Sequence, residues 1–263
     1  EKKLKKYIEK KKLIYIATPF SYKAAKWLND NNLKIFKIGS GECNNIPFIK
    51  YVCSFKKPMI ISTGMNSLES VKKTIRIVKK NKIPHAILHC INLYPVDYKY
   101  IRLGRLNKMI QTFKSSIIGY SDHSIGNTIP IAALALGAKI IEKHFVIEKN
   151  RKGPDIICSM DKTELKDLLA ASIKIHEAFS SNKEIISEED KSRRFAFHSV
   201  VSKKDINKNE VLSWKNLTTK RPGTGDFPSY KIYSLIGRKT KKYIKKNHLI
   251  KKEYIKWKKK YYL

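Results

Sequence analysis

Two histidines at equivalent places in consecutive segments of the chain are the strongest candidates for chemistry. His123 lies in the segment GYSDHSIG at 119–126, and His144 lies in EKHF at 142–145. Each follows a short apolar run that predicts a buried strand, so both imidazoles are expected at strand carboxyl ends. In a parallel barrel those ends form the reactive face, and neighbouring strands lie about 4.8 Å apart. Two neutral imidazoles there could share one divalent metal ion and leave positions open for water and substrate oxygens.

Small polar turns after the earlier predicted strands favour anion binding. Lys37 lies on a strand whose end carries the turn Gly39-Ser40-Gly41 and then Glu42, and Ser62 begins a similar turn. Asn92 and Ser121 end two later strands. An amine, hydroxyl groups and backbone amides that lie together at the carboxyl ends of the strands can bind a phosphate. The alternative is that these are ordinary turns and that Lys37 only buries its aliphatic stem. That explanation would account for one such turn but accounts less well for four at the ends of consecutive strands.

Three further residues are candidates with weaker signals. Glu142 shares a strand face with His144 and could contact substrate or orient a ligand. Asp155 follows the last predicted strand and could contact a polyol or act on a proton, although Gly-Pro-Asp is also a common turn. Arg221 lies between Lys220 and a turn with two glycines that would expose its guanidinium for bidentate recognition, and a plain surface turn is equally compatible.

The elements that must position these residues alternate between strand and helix. Helical spacing recurs between the strands, at 22–28, 67–79 and 127–136, and repeated strand-then-helix predicts a parallel α/β fold. The six predicted strands are 13–17, 33–38, 58–62, 86–90, 116–120 and 138–142. A closed (β/α)8 barrel needs eight units in about 250 residues. We therefore expect residues 1–180 to form a partial TIM barrel of six units, with an amino-terminal segment of two units missing.

The carboxyl-terminal third predicts a separate, smaller domain. The amphipathic pattern at 164–179 predicts the last barrel helix, and the polar stretch 181–194 predicts a linker. Residues 195–263 contain an internal pseudo-repeat, formed by 206–217 and 244–255. Each copy has an aliphatic residue, then a polar turn with asparagine, then a short apolar segment. Asparagine tolerates the left-handed turn conformation. These features predict a mostly β domain.

Composition argues against several other classes of protein. The net charge is +34, but it comes mainly from lysine spread along the whole chain rather than from clustered arginine with stacking aromatics. We therefore expect no nucleic-acid partner, although a positive field would attract an anionic substrate. No apolar run is long enough for a membrane span, and the four cysteines lack paired spacing. These features predict a soluble, cytoplasmic protein with reduced, buried thiols and no membrane partner.

Taken together, these segments resemble the sialic acid synthase family, the phosphoenolpyruvate-dependent synthases of N-acetylneuraminate and related nonulosonic acids. The last domain resembles the antifreeze-like (SAF) domain of that family. The resemblance spans nearly the whole chain and rests on these motifs: TPF at 18–20, KIGSGE at 37–42, STGM at 62–65, LHCINLYP at 88–95, SDH at 121–123, EKHF at 142–145, GPD at 153–155 and RPGTGD at 221–226.

The resemblance implies a transferase that condenses phosphoenolpyruvate with N-acetylmannosamine and releases phosphate. It further implies a divalent metal, Mn2+ first and Mg2+ or Co2+ as alternatives, held by His123 and His144. A domain-swapped homodimer is implied, in which Arg221 reaches the N-acetyl group from the other subunit. By motif position, phosphoenolpyruvate would contact Thr18, Lys37, Ser40, Ser62, Asn92 and Ser121. The sugar would contact Glu42, Tyr94 and Asp155, and Glu42, Asp155 and Lys37 are the candidate catalytic residues.

Three alternatives stay open on the sequence. The product could be a related nonulosonic acid of the legionaminic or pseudaminic type. The 263-residue chain could be an inactive fragment, because six strands leave two bare sheet edges. The SAF-like domain could carry a binding function alone, although the barrel motifs argue against it.

Overall fold

One parallel sheet of six strands organises the first part of the molecule. In the computed structural model, which describes residues 1–180 and 184–257, the strands lie side by side in chain order. They are β1 (Ile16–Ala17), β2 (Ile35–Ile38), β3 (Met59–Ser62), β4 (His85–Cys90), β5 (Ile117–Asp122) and β6 (Ile141–Lys143). All six predicted strands are confirmed, and each parallel pair is joined by a crossover containing a helix.

Helices begin where the sequence supplies a capping side chain. Ser21 and Ser67 accept hydrogen bonds from backbone amides of the first helical turn, and Asp161 and Glu164 form a capping box. The helices of this unit are α1 (Lys2–Lys10), α2 (Tyr22–Asp30), α3 (Ile46–Ser54), α4 (Leu68–Lys80), α5 (Tyr98–Ile101), α6 (Gly104–Thr112), α7 (Thr128–Ala135) and α8 (Lys162–Ala178). None of the described helices is both long and apolar enough to cross a membrane.

The two faces of the sheet have different chemistry. Apolar strand residues such as Phe36, Ile61 and Ile87 pack against helices in one hydrophobic core. Because side chains alternate along a strand, the intervening residues point to the opposite face. That face carries Lys37 on β2 and Ser62 on β3, together with the later candidates on β5 and β6. The helices therefore bury the apolar face, and the other face carries the polar site.

The sheet is an open, partial barrel, as predicted. Within the described residues, β1 pairs only with β2 and β6 only with β5. Apolar side chains stand exposed beside both edges, including Ile14 and Ile16 at one and Ile147 at the other. On α8, Leu169 and Ile173 are also exposed.

The second unit, from 182 onward, is small and largely β. Strands β7 (Ser199–Ser202) and β8 (Leu217–Lys220) pair antiparallel, and several isolated bridges extend the pairing. The two pseudo-repeats pair through an antiparallel bridge between Ile206 and Ile244, and both residues are buried in the core of this unit. Asn209 and Asn247 adopt the predicted left-handed conformation, with φ of 68° and 62°.

The predicted linker at 181–194 is partly helical. Helix α9 (Asp190–Ala196) begins inside the predicted linker and ends two residues beyond it. A 3-10 turn at 187–189 precedes the helix. Residues 181–183 of the linker and 258–263 of the last domain lie outside the described residues. None of the residues of α9 is buried, so the segment has no need of an apolar face. Its polar composition therefore predicted a linker rather than a helix.

Candidate active site

Lys37 is the cation of the site and is held at the centre of a polar network. It is only 8% exposed, and its Nζ donates a hydrogen bond of 2.8 Å to Ser62 Oγ. The same amine lies 3.3 Å from Glu142 Oε2, while Glu142 Oε1 accepts a hydrogen bond of 3.0 Å from Ser121 Oγ. The network joins residues from β2, β3, β5 and β6.

This network shows how strongly the sheet curves. In a flat sheet, β2 and β6 would lie four strand spacings apart, or about 19 Å. The side chains of Lys37 and Glu142 together reach roughly 10 Å. Their contact therefore requires the sheet to close toward itself like part of a barrel, which brings the two residues together.

The turns after β2, β3 and β4 are packed against one another. Gly64 N donates a 3.0 Å hydrogen bond to Ser40 Oγ. A Cβ atom added to Gly64 would lie 1.6 Å from Asn92 Oδ1 and 2.9 Å from Ser40 Oγ. Glycine is therefore required where the Ser40 hydroxyl and the Asn92 amide converge. Thr18, half-buried after β1, lies beside the same turn, because a Cβ on Gly39 would be 3.7 Å from its methyl group.

His123 and His144 lie together at the ends of β5 and β6, with ring centroids 5.4 Å apart. His123 is almost completely buried, and its Nδ1 lies 2.8 Å from the Ile91 carbonyl oxygen. A carbonyl can only accept, so Nδ1 carries the proton and Nε2 keeps a free lone pair. Burial also lowers the pKa of His123, which favours the neutral imidazole that a metal requires.

These observations fit a site for one divalent cation with few protein ligands. A carbonyl that orients the far nitrogen of a histidine is a recurring feature of metal-binding imidazoles. Within residues 1–180 and 184–257, no three histidine, cysteine, aspartate or glutamate side chains converge as a metal-binding group. The donors present are therefore suited to an open site rather than to a closed structural one.

Tyr94 covers the two histidines. Its ring centroid lies 3.9 Å from that of His123 and 5.8 Å from that of His144. Partial burial, with smaller effects from nearby groups that include Asp155, raises the pKa of Tyr94 to about 12. The phenol is therefore a neutral hydrogen-bond donor at physiological pH, and Asp155 lies near it. Asp155 itself is half-buried in a left-handed turn, with φ of 62°.

Glu42 and Arg221 each make polar contacts of their own. Glu42 ends a 3-10 turn after β2, and its Oε2 accepts a 2.8 Å hydrogen bond from Asn45 at the start of α3. Arg221 belongs to the second unit, where it is exposed; its Nε donates to the Ala196 carbonyl oxygen, and its guanidinium stacks over Phe195.

Two charged residues of this region were not predicted from the sequence. Asp122 and Lys143 form an ion pair on the helix-facing side of β5 and β6, and neither side chain is exposed. Strand alternation could have indicated them, since each immediately precedes a candidate histidine and must face the core. Opposite charges at two such positions are a sequence signal for a buried pair.

The cysteines contribute no nucleophile to the site. All four are free and buried, as predicted. Burial raises the pKa of each thiol above its usual range, to about 11 for Cys43, so the reactive thiolate form is disfavoured.

Comparison with known proteins extends these findings. Residues 1–184 match the NeuB family, and residues 197–256 match the SAF domain. The chain is 36% identical to the N,N'-diacetyllegionaminic acid synthase of Campylobacter jejuni over 254 residues, which are 95% of this chain and 75% of that protein. It is 30% identical to the human N-acetylneuraminate-9-phosphate synthase over 255 residues, 97% of this chain and 71% of that protein.

A solved structure shows the same architecture. The N-acetylneuraminic acid synthetase of Leptospira borgpetersenii superposes with a TM-score of 0.69 at 31% identity, covering 73% of this chain and 67% of that one. The match to the family spans the whole six-stranded sheet and every candidate residue of the first unit. The chain therefore belongs to the NeuB family and carries a SAF domain.

Proposed function

We propose that the protein is an N-acetylneuraminate synthase, which condenses phosphoenolpyruvate with N-acetylmannosamine and releases phosphate. The observation that carries the proposal is the arrangement at the carboxyl ends of the strands, where the buried amine of Lys37 contacts a hydroxyl group and a carboxylate and where two imidazoles lie together. The region around Lys37 is suited to binding an anion. The two imidazoles are suited to holding a cation, which would contact the oxygen of an aldehyde. Relatives that make sialic, legionaminic and pseudaminic acids support a synthase of this class.

The proposed reaction joins three reactants in a balanced sequence. A C–C bond forms between C3 of phosphoenolpyruvate and the aldehyde carbon of the open-chain sugar, whose oxygen gains a proton. Water adds at C2 of the former phosphoenolpyruvate, and cleavage of the C–O bond releases inorganic phosphate. The protein must therefore hold a strongly anionic reactant, orient an aldehyde and admit one water molecule.

The anionic reactant is assigned to the network around Lys37. Lys37 and Ser62 would contact the phosphate or carboxylate, with Ser40, Asn92, Ser121 and Thr18 as further donors. Glu142 now lies 3.3 Å from the Lys37 amine, so an incoming anion competes with this carboxylate. An anion that binds the amine would therefore displace the Glu142 carboxylate from it.

The sugar is assigned to the histidine end of the site. His123 and His144 would hold Mn2+, with Mg2+ or Co2+ as alternatives, and a bound cation would polarise the aldehyde. Tyr94 shields both imidazoles from water on one side and can donate a hydrogen bond to a sugar oxygen. Glu42 and Asp155 are the carboxyl groups proposed to contact the sugar and to move a proton at the aldehyde oxygen.

The second unit is proposed to complete the sugar site. Arg221 would contact the N-acyl group from the SAF domain of a second copy in a domain-swapped homodimer. The stacked Phe195 ring and the Ala196 carbonyl restrict its guanidinium, which favours bidentate recognition.

Phosphate release tests the function directly. The chain is incubated with phosphoenolpyruvate, Mn2+ and one of three aldehyde sources: N-acetylmannosamine, its 6-phosphate or a 2,4-diacetamido sugar of the legionaminic series. Phosphate is measured with product mass. Turnover limited to the diacetamido sugar would replace the proposal with a legionaminic-type synthase, which the 36% identity to such an enzyme favours as second candidate. A folded chain that releases no phosphate with any of these sugars would refute both.

A further inference from the structure

A buried ion pair lies directly behind the two histidines. Asp122 is the last residue of β5, Lys143 is the last residue of β6, and the two are register partners in the sheet. Both side chains are 0% exposed and in direct contact. They occupy the opposite face of the sheet from Ser121 and Glu142.

The pair also holds the turn that contains His123. Asp122 Oδ1 accepts a hydrogen bond of 3.1 Å from Ser124 N, and Asp122 Oδ2 accepts one of 3.0 Å from Ser124 Oγ. Lys143 Nζ donates a hydrogen bond of 2.6 Å to the Ser124 carbonyl oxygen. Both charged groups therefore bind the residue that follows His123, and the carboxylate belongs to the residue that precedes it.

The main chain of each histidine is tied down as well. The His123 carbonyl oxygen accepts a hydrogen bond of 3.1 Å from Val96 N, and the His144 carbonyl oxygen accepts one of 2.8 Å from Met160 N. These bonds fix each strand end to its own surroundings. The contact between Asp122 and Lys143 fixes the two strand ends to each other.

A buried ion pair is a poor source of stability but a strong source of specificity at this place. Removing two charges from water offsets most of their attraction, so an apolar pair would stabilise the fold as well or better. A slip of β6 by one residue, however, would turn Lys143 to the polar face and leave Asp122 buried without a partner. The same slip would turn Glu142 and His144 toward the helices. Only the observed register satisfies all of these groups.

We propose that Asp122 and Lys143 are positioning residues that hold His123 and His144 at the spacing required to share one cation. The proposal rests on the metal site of the proposed function. It assigns the pair no contact with substrate or metal; the pair acts through the main chain of the two histidines.

The test is the double variant Asp122→Asn/Lys143→Met, which removes both charges together and leaves no buried ion unpaired. The exposed pair Lys26 and Asp30 on α2 provides a matched control, as Lys26→Met/Asp30→Asn makes the same chemical changes at side chains that are 66% and 50% exposed. Val52→Ala, a core position on α3 that is distant in sequence from both histidines, controls for lost stability. Circular dichroism reports whether each variant folds.

Two readouts separate positioning from general stability. The first is hydrogen–deuterium exchange by mass spectrometry, with peptides covering 117–128 and 139–147. The second is the affinity for Mn2+ alone, from the electron paramagnetic resonance signal of the free ion. The double variant is expected to exchange faster in those two peptides and to bind Mn2+ about 10- to 100-fold more weakly. Both controls should leave the two peptides and the Mn2+ affinity near wild type.

The outcomes distinguish this proposal from the proposed function. A folded double variant with wild-type exchange in both peptides and wild-type Mn2+ affinity overturns the positioning role. If the double variant does not fold, Asp122→Asn alone is measured in the same way, and unchanged values overturn the proposal. If the wild-type protein binds no Mn2+, the metal assignment fails, while faster exchange confined to the two peptides still supports the positioning of the histidines.

Discussion

Replacing Lys37 with methionine tests the anion half of the site most directly. The substitution keeps the buried aliphatic stem but removes the amine that contacts Ser62 at 2.8 Å and Glu142 at 3.3 Å. Loss of one member of a buried charge pair with a ligand costs about 2–5 kcal/mol in binding. A value of about 3 kcal/mol corresponds to a roughly hundredfold weaker Kd for phosphoenolpyruvate.

The same geometry predicts the opposite sign for Glu142→Gln. The carboxylate competes with the ligand for the amine of Lys37, so removing its charge should tighten phosphoenolpyruvate binding. Because the side chain of Glu142 is 42% exposed, solvent screens the competition, and the gain should stay below about 1 kcal/mol, or fivefold.

Isothermal titration calorimetry with phosphoenolpyruvate measures both effects. Lys50→Met removes a lysine charge from the exposed side of α3 and controls for the general positive field. Near-wild-type binding by Lys37→Met would refute the assignment of the anion site. Binding by Glu142→Gln that is weakened as much as by Lys37→Met would refute the competition and make the carboxylate a direct contributor to binding.

Three further outcomes follow from the structure. His123→Ala or His144→Ala should abolish phosphate release, and EDTA should reproduce the loss in the wild type until Mn2+ is restored; activity that survives chelation would contradict the metal assignment. Gly64→Ala should raise the Kd for phosphoenolpyruvate at least tenfold, because its methyl group would overlap the Asn92 amide; overpacking should cost about 1–3 kcal/mol of stability in urea unfolding. The folded protein should react slowly with a thiol reagent at pH 8, since burial holds the pKa of Cys43 at about 11, and rapid labelling of all four cysteines would contradict their burial.

Much of the fold followed from local sequence patterns. The six strands, the intervening helices α2, α4 and α7, and the left-handed Asn209 and Asn247 were predictable, since periodicity, capping and turn preferences act over a few residues. Strand ends were predictable for the same reason, which placed His123 and His144 side by side. The helix α9 was missed because it buries no residue of its own and shows no apolar periodicity.

Other features of the site were beyond local patterns. The contact between Lys37 and Glu142 joins strands that are not neighbours and exists only because the sheet curves. The placement of Tyr94 over His123 depends on how the loop after β4 folds across the end of β5.

The sequence by itself determined which residues stand at the strand ends, and these residues suggested the class of chemistry that we propose. The tertiary structure decided which of those residues meet, how Glu142 neutralises Lys37, and that Asp122 and Lys143 lie paired behind the histidines. The physical reason is that alternation and turn preference are properties of consecutive residues, whereas curvature and register depend on the packing of the whole sheet.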